Sequence, residues 1–318
     1  MPSMTGGRRI TWTRLPATVA DAIGALLGGR VVEAVSQPGG FSEGLAARVR
    51  TDGGRRAFVK AASWSAAPVT ALFHRREIDV SRRLPAVAPV PRLLDTYDDG
   101  AWVALLFEEI DGALPAQPWR PDEFDQVLAA AADLAPLLAP SPVAAAVLGP
   151  PRLGGWAAVA GEGATGRLAS LSPWAARHLD ELAAIEQLAG RALAGDTLLH
   201  GDMYPFNVML TAERVYFIDW PHAWLGAAGC DVLTLLSSAS LSGLDPQPFA
   251  VRHPLTRHLA PEQIDAFLAA HSGFLLRLAT TVEPDADRNF LRMITELGMA
   301  SLRWLQRRRG ASGDRGTG

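Results

Sequence analysis

Residues 198–220 read LLHGDMYPFNVMLTAERVYFIDW. The stretch holds a carboxylate, Asp202, then an amide, Asn207, and then a second carboxylate, Asp219. Apolar runs at 208–210 and 215–218 flank a polar turn at 211–214, which is the pattern of a short hairpin. Such a hairpin carries Asp219 back toward Asn207. Two oxygen ligands beside a lone carboxylate base is the layout that magnesium-dependent phosphoryl transfer needs. Taken alone, the three groups also fit metal sites of other kinds, so residues elsewhere must decide.

One of those residues stands out by composition. Of 30 basic residues, 29 are arginine and one, Lys60, is lysine. A chain that uses arginine wherever a positive charge is wanted, yet keeps one lysine, marks a place suited to a compact point charge, such as one on phosphate. Chance is the competing reading, because a rare residue has to fall somewhere. Lys60 lies on an expected strand over 56–61, the third after strands at 31–35 and 46–50. Before these, residues 17–27 read as a helix ended by Gly28 and Gly29. Between the first two strands lies Gln37-Pro38-Gly39-Gly40-Phe41-Ser42-Glu43-Gly44. A glycine-rich turn of this kind can lay backbone N–H groups against phosphate oxygens. It sits between strands and does not open a helix, which excludes the dinucleotide-binding fingerprint.

Pro68 suits the first turn of a helix, whose apolar stripe is expected at Val69, Leu72, Phe73, Val80 and Leu84. Glu77 falls on that stripe by spacing. A carboxylate facing a core needs a partner or costs several kcal/mol, and Lys60 is the available cation. The alternative is a boundary glutamate that reaches solvent. Pro85, Pro89 and Pro91 then lead through a connection to an apolar strand at 102–107, followed by Glu108-Glu109-Ile110-Asp111-Gly112.

Together, His200-Gly201-Asp202, Asn207 and Asp219-Trp220, preceded by the glycine turn, Lys60 and Glu77, resemble the aminoglycoside phosphotransferase family. Its fold is similar to that of the protein kinases. The resemblance implies an α+β, two-lobed, protein-kinase-like fold. Residues 1–110 would form a small antiparallel-sheet lobe with one key helix, binding nucleotide, and 111–318 a larger, mainly helical lobe for catalysis and the acceptor. It implies ATP (or another nucleoside triphosphate) and Mg2+ as cofactors, with Asp202 as base and Asn207 and Asp219 as metal ligands. Lys60 and Glu77 would form a phosphate-positioning pair. Gly39, Gly40, Phe41, Ser42 and Gly44 would contact the nucleotide, and the Glu108 carbonyl and Ile110 N–H would meet its base edge. Met203, Phe206 and Cys230 depart from the common pattern but carry no chemical role.

Past residue 121 helical spacing dominates: Phe124, Val127, Leu128, Ala131, Leu134, Leu137 and Leu138, then, after a proline- and glycine-rich loop at 140–166, a helix opened by Ser172-Pro173. His200 reads as a packing residue and His222 as a pocket or surface residue. Asp231 reads as a helix-start carboxylate, which in the family also anchors the catalytic loop. The segment between Asp219 and Asp231 is too short to dock a peptide, so a small-molecule hydroxyl is the expected acceptor, with antibiotic and metabolite both open. Aminoglycosides are polycations, yet Arg120, Arg152, Arg167, Arg177 and Arg191 are interspersed among the acidic residues of this half. Two amphipathic helices are expected over 261–309, with Arg307, Arg308 and Arg309 at a helix C-terminus and a disordered tail at 311–318.

Composition narrows the classes further. A 318-residue chain with 48% hydrophobic and 20% charged residues can bury a sizeable core. A net charge of −3 argues against nucleic acid or an anionic membrane as the main partner. The single Cys230 excludes an internal disulfide, reads as a small buried hydrophobe and fits a reducing compartment. The uncharged stretch 134–151 is broken by prolines and cannot span a membrane, and the N-terminus carries no signal-like apolar run. The cytoplasm is the expected compartment. The second functional class left open is a nucleotide-binding module without turnover.

Overall fold

The computed structural model describes residues 9–37, 43–282 and 287–313. Helix α1 (Ala17–Leu26) leads into strands β1 (Val31–Ser36), β2 (Leu45–Thr51) and β3 (Arg56–Ser63). Helix α2 (Pro68–Ser81) follows, then β4 (Leu93–Asp98) and β5 (Trp102–Phe107). The five strands pair antiparallel in the order β1-β2-β3-β5-β4. This is the small antiparallel sheet that the resemblance implied, with a helix on each face, of which α2 is the one that carries Glu77.

Strand β5 reads as an unbroken apolar run because both its faces are covered. Ala104 and Leu106 pack with Ile23, Leu27, Val49 and Val59 on the α1 side. Val103, Leu105 and Phe107 pack with Ala71 and Ile78 of α2 on the other. Lys60 sits in register with Ala46 and Leu105. Alternation along β3 therefore puts it, with Phe58 and Ala62, on the α2 side.

The stripe expected on α2 is corrected by the structure. Val69 and Leu72 are exposed, and the buried face is Ala71, His74, Glu77 and Ile78. The helix rests on β3 and β5 along that face, which turns Val69 and Phe73 toward the cleft below the sheet. Glu77 lies inward as the spacing required, with 2% of its side chain exposed. Strand β4 was not expected. It pairs on one side only and carries a bulge between Leu93 and Asp95, so neither a buried run nor a clean alternation marks it.

The rest of the chain is mainly helical: α3 (Pro121–Leu137), α4 (Trp156–Gly161), α5 (Thr165–Leu171), α6 (Pro173–Arg177), α7 (Leu179–Gln187) and α8 (Ala189–Ala192). Strands β6 (Thr197–Leu199), β7 (Val208–Leu210), β8 (Val215–Phe217) and β9 (Trp224–Gly226) precede α9 (Cys230–Ala239), α10 (Pro246–Arg252), α11 (Pro261–Thr281) and α12 (Arg288–Gly313). Its core is built around Trp156, Trp220, Trp304, Phe124 and Phe267. Leu137, expected within the stripe of α3, is exposed. The helix expected from Ser172-Pro173 is two pieces: the Ser172 hydroxyl caps α6, and the chain breaks at His178 before α7.

Arg308 and Arg309 do not serve a helix end, because α12 continues to Gly313. Arg308 instead donates to Asp265 at 2.6 Å, and Arg309 pairs with Glu181, so both tie helices together. Of the tail expected to be disordered, 311–313 belong to α12 and 314–318 lie outside the described residues. No helix among the described residues is long and apolar enough to cross a membrane.

Candidate active site

The segment that carries Asp202, Asn207 and Asp219 is fixed at both ends by short strand pairs. β6 pairs with β9, and β7 with β8 in the expected hairpin, Val208 opposite Phe217 and Leu210 opposite Val215. Gly201 follows β6 at φ 75°, and a Cβ there would lie 2.2 Å from the His222 carbonyl oxygen. Only glycine lets these two turns approach so closely.

His200 is fully buried. Its Nδ1 accepts the Asp202 N–H at 3.2 Å and its Nε2 lies 2.8 Å from the Ile218 carbonyl. With Nδ1 an acceptor and Nε2 the donor, the ring ties the Asp202 loop to the strand leading to Asp219. This is the packing role that the sequence suggested. Asp231 is the loop's second anchor, accepting the N–H groups of His200 and Gly201 at 2.7 and 3.0 Å. Burial raises its pKa, and those two N–H donors oppose the rise.

Asp202 accepts on both oxygens. Arg152 Nη1 donates to Oδ1 at 2.7 Å, and Asn207 Nδ2 donates to Oδ2 at 2.8 Å and to the Asp202 carbonyl at 2.8 Å. The Ile218 N–H donates to the Asn207 carbonyl at 2.9 Å, which closes the hairpin and sets Asp219 near Asn207. Asp219 has φ 68°, the left-handed region that aspartate tolerates better than most residues.

Across the cleft, Lys60 Nζ donates to both Glu77 oxygens at 2.8 Å and to Asp219 Oδ1 at 2.8 Å. The Trp220 N–H reaches Glu77 Oε1 at 3.3 Å. One carboxylate thus holds the lysine and the residue after Asp219, joining sheet to helical region. Burial alone would lower the Lys60 pKa, but two carboxylates outweigh it and hold the ammonium above its usual range. Burial pushes the Glu77 carboxyl up, against the pull of Lys60 and with a push from Asp219. For Asp219, burial is overcome chiefly by Lys60, so its carboxyl stays well below the usual range. Removing either partner of the buried Lys60–Glu77 pair costs about 3–5 kcal/mol.

These groups line one cleft of about 1150 Å³, with Glu108 and Ile110 at the edge leading out of β5. Among the described residues, neither the Glu108 carbonyl nor the Ile110 N–H is engaged in a turn or loop hydrogen bond, while the Glu108 side chain is held by Arg92. Gly44 does not line the cleft. It bridges Arg9 at the foot of β2 with φ 107°, and a Cβ there would lie 2.4 Å from the Ala61 carbonyl oxygen, so close packing accounts for this glycine. Gly39, Gly40, Phe41 and Ser42 lie outside the described residues.

Sequence reasoning does not single out Arg152 as a site residue. It comes from the proline-rich loop before α4 and meets Asp202 across 50 positions. In a chain rich in arginine its residue type carries no signal. His222 lines the cleft with its ring edge against Phe73, and burial pushes its pKa down to about 4.

His271, between Tyr204 and Ser301, is pushed down to about 4 by burial, and His74 to about 3 by burial and the Lys60 charge. All three rings fold neutral, so unfolding takes up protons below pH 6.5. Their stabilising contribution is complete above pH 6.5 and is lost as pH falls toward about 4. Each adds at most about 1.4 kcal/mol per pH unit in that window. Urea midpoints should therefore fall from pH 6.5 to 5, less steeply than three histidines alone would give because the raised Glu77 carboxyl works in the opposite sense. A flat profile down to pH 5 would contradict this.

A profile of the phosphotransferase enzyme family matches residues 36–285. Among curated proteins, a LicA homolog from Mycoplasma capricolum subsp. capricolum is 33% identical over 46 residues, which is 14% of this chain and 19% of that protein. The match thus spans about a fifth of that relative's length. Among solved structures, amicoumacin kinase hAmiN in complex with AMP-PNP, Ca2+ and Ami superposes with a TM-score of 0.60 at 12% identity, covering 92% of this chain and 95% of that one. A choline/ethanolamine kinase family protein from Mesorhizobium loti gives 0.57 at 16% identity over 91% and 98%. The streptomycin–ATP–APH(2")-IIa ternary complex gives 0.56 at 11% over 92% and 99%. At such identities the likeness is one of fold. The profile match, which covers most of the chain and contains Lys60, Glu77, Asp202, Asn207 and Asp219, makes this protein a member of the phosphotransferase enzyme family.

Proposed function

We propose that this protein transfers the γ-phosphoryl group of ATP to a hydroxyl of a small molecule, with magnesium as the metal. The observation that carries the reading is the Lys60 ammonium lying 2.8 Å from Glu77 and from Asp219. A point charge pre-set between the sheet and the metal-ligand candidates is what phosphate oxygens require.

The donor set fits magnesium, which is held by few protein oxygens and keeps several waters. Asn207 spends its amide N–H groups on Asp202, which leaves its oxygen as the ligand atom. Asp219 adds an anionic oxygen on a side chain that is 41% exposed. When bound, the metal supplies positive charge against the phosphate oxygens. Lys60, steadied by Glu77, binds the same phosphates. Asp202, oriented by Arg152 and Asn207, positions the acceptor hydroxyl. The hydroxyl oxygen bonds to the γ-phosphorus, the bond to the β–γ bridging oxygen breaks, and the hydroxyl proton passes late to Asp202. The division of labour follows the chain: 1–110 for nucleotide, with the Glu108 carbonyl and Ile110 N–H at the base edge, and 111–318 for catalysis and acceptor.

ATP consumption measured over a panel of hydroxyl compounds tests the reading. Turnover above that of Asp202→Ala on at least one compound is expected. Nucleotide binding with no turnover above that control on any compound would favour a non-catalytic module. Lys60→Arg tests the lysine itself. It keeps the charge but replaces a compact ammonium with a planar fork that the Glu77–Asp219 site does not match. Nucleotide affinity should fall about tenfold or more, a change of ~1.4 kcal/mol, with the melting curve still cooperative. Wild-type kinetics in this variant would remove the argument from the single lysine.

A further inference from the structure

Around Tyr204, two residues past Asp202, the cleft is walled by Tyr204, Phe206, Phe274, Phe290, Met293 and Leu297. These residues belong to a hydrophobic cluster distinct from the main core, formed by the catalytic segment, α11 and the first turns of α12. An apolar cluster that opens onto a cleft is a surface for apolar ligand.

Among the described residues, five of the six carboxylates that line the cleft are already matched. Glu77 and Asp219 pair with Lys60, Glu108 with Arg92, and Glu109 with Arg48 and Arg56. The sixth, Glu43, stands two residues before β2 and is not among the residues of the apolar cluster or its neighbours. Asp202 is the carboxylate on the apolar side, and Arg152 neutralises it at 2.7 Å. The two nearby histidines, His222 and His271, are kept neutral by burial. A cation entering here would leave water for a wall with no unmatched carboxylate to receive it. Arg152 has a different capacity. Its guanidinium stacks over Phe274 at 5.2 Å, a quarter of its side chain is exposed, and Asp202 is its hydrogen-bond partner among the described residues. A guanidinium carries five N–H donors, so several remain for an oxygen on an incoming molecule.

We propose that the acceptor is a predominantly apolar hydroxyl compound with no cationic group, whose hydroxyl meets Asp202 while a second, neighbouring oxygen meets Arg152. The inference rests on the phosphotransferase reading and names the substrate class of the same site. It makes the polycationic amino sugars poor acceptors.

The test uses matched probes on one aryl skeleton: 1-(biphenyl-4-yl)ethane-1,2-diol, 1-(biphenyl-4-yl)ethanol and 2-amino-1-(biphenyl-4-yl)ethanol, with kanamycin as a polycation. Binding to full-length protein saturated with magnesium and a non-hydrolysable ATP analogue is measured by calorimetry, and phosphorylation, in a separate reaction with ATP, by phosphorus NMR. The diol should bind about tenfold or more tightly than the amine and kanamycin. Arg152→Ala should erase the diol's advantage over the mono-alcohol. Phe206→Glu, which adds a carboxylate to the wall, should shift preference toward the amine, and Phe274→Glu serves if that variant does not fold. Equal or tighter binding of the amine or kanamycin by the wild type overturns the proposal, as does absence of diol binding at millimolar concentration. A diol advantage that survives Arg152→Ala overturns the arginine's part. Nucleotide affinity is read separately. Intact nucleotide binding with a preference for cations sinks this inference alone, whereas failure to bind nucleotide sinks the phosphotransferase reading and this one with it.

Discussion

Asp202→Asn is expected to lower kcat by about 10²–10⁴-fold, the usual contribution of a positioned general base, with nucleotide affinity near that of the wild type. The geometry explains why the loss should fall on kcat. Asp202 touches neither Lys60 nor Glu77. It accepts from Arg152 on one oxygen and from Asn207 on the other. Asparagine keeps the shape but has one acceptor where the site offers two donors, and it cannot take up the hydroxyl proton. One donor is left facing an amide N–H, which costs about 1–3 kcal/mol of stability. A modest fall in the melting temperature should therefore accompany the loss of turnover. A variant with wild-type kcat would show that Asp202 is not the base.

Asp219→Asn should lower turnover by about 10³-fold, the worth of several kcal/mol of charge stabilisation near the phosphates, and abolish its dependence on magnesium concentration. Asparagine is the informative choice because it also tolerates the left-handed backbone at φ 68°, so the turn survives while the charge is lost. Lys60 keeps both contacts to Glu77, so the sheet stays joined to the helix. Turnover and nucleotide affinity measured across a magnesium series separate the two effects. Affinity without magnesium should change little, and affinity with it should drop. If the variant responds to magnesium as the wild type does, the ligand assignment is wrong.

Both predictions rest on residues that are legible in the sequence. Asp202, Asn207 and Asp219 announce themselves because a hairpin is a local object, and its strands, turn and polar ends fall within 23 consecutive residues. Glu77 can be placed because helical spacing sets it on the buried face, even though Val69 and Leu72, assigned to the same face, are exposed. Helical spacing averages over a helix that meets the sheet on one side and a cleft on the other, and it does not distinguish the two apolar surroundings. Strand β4 is hidden for a related reason, since an edge strand needs to satisfy only one neighbour.

By itself, then, the sequence carried the motifs whose resemblance implied the fold class, and it placed the first three strands and the helix of Glu77 in order. It also determined the acid, amide and lysine set, since local periodicity, turn chemistry and the rarity of lysine carry that information along the chain. Tertiary structure alone decided who meets whom at long range. It brought Arg152 from a proline-rich loop onto Asp202, matched Glu108 and Glu109 to arginines, and opened the Tyr204–Leu297 cluster onto the cleft. The physical reason is that an ion pair between residues 50 positions apart leaves no periodic trace. An apolar residue that lines a pocket also has the same composition as one that fills a core.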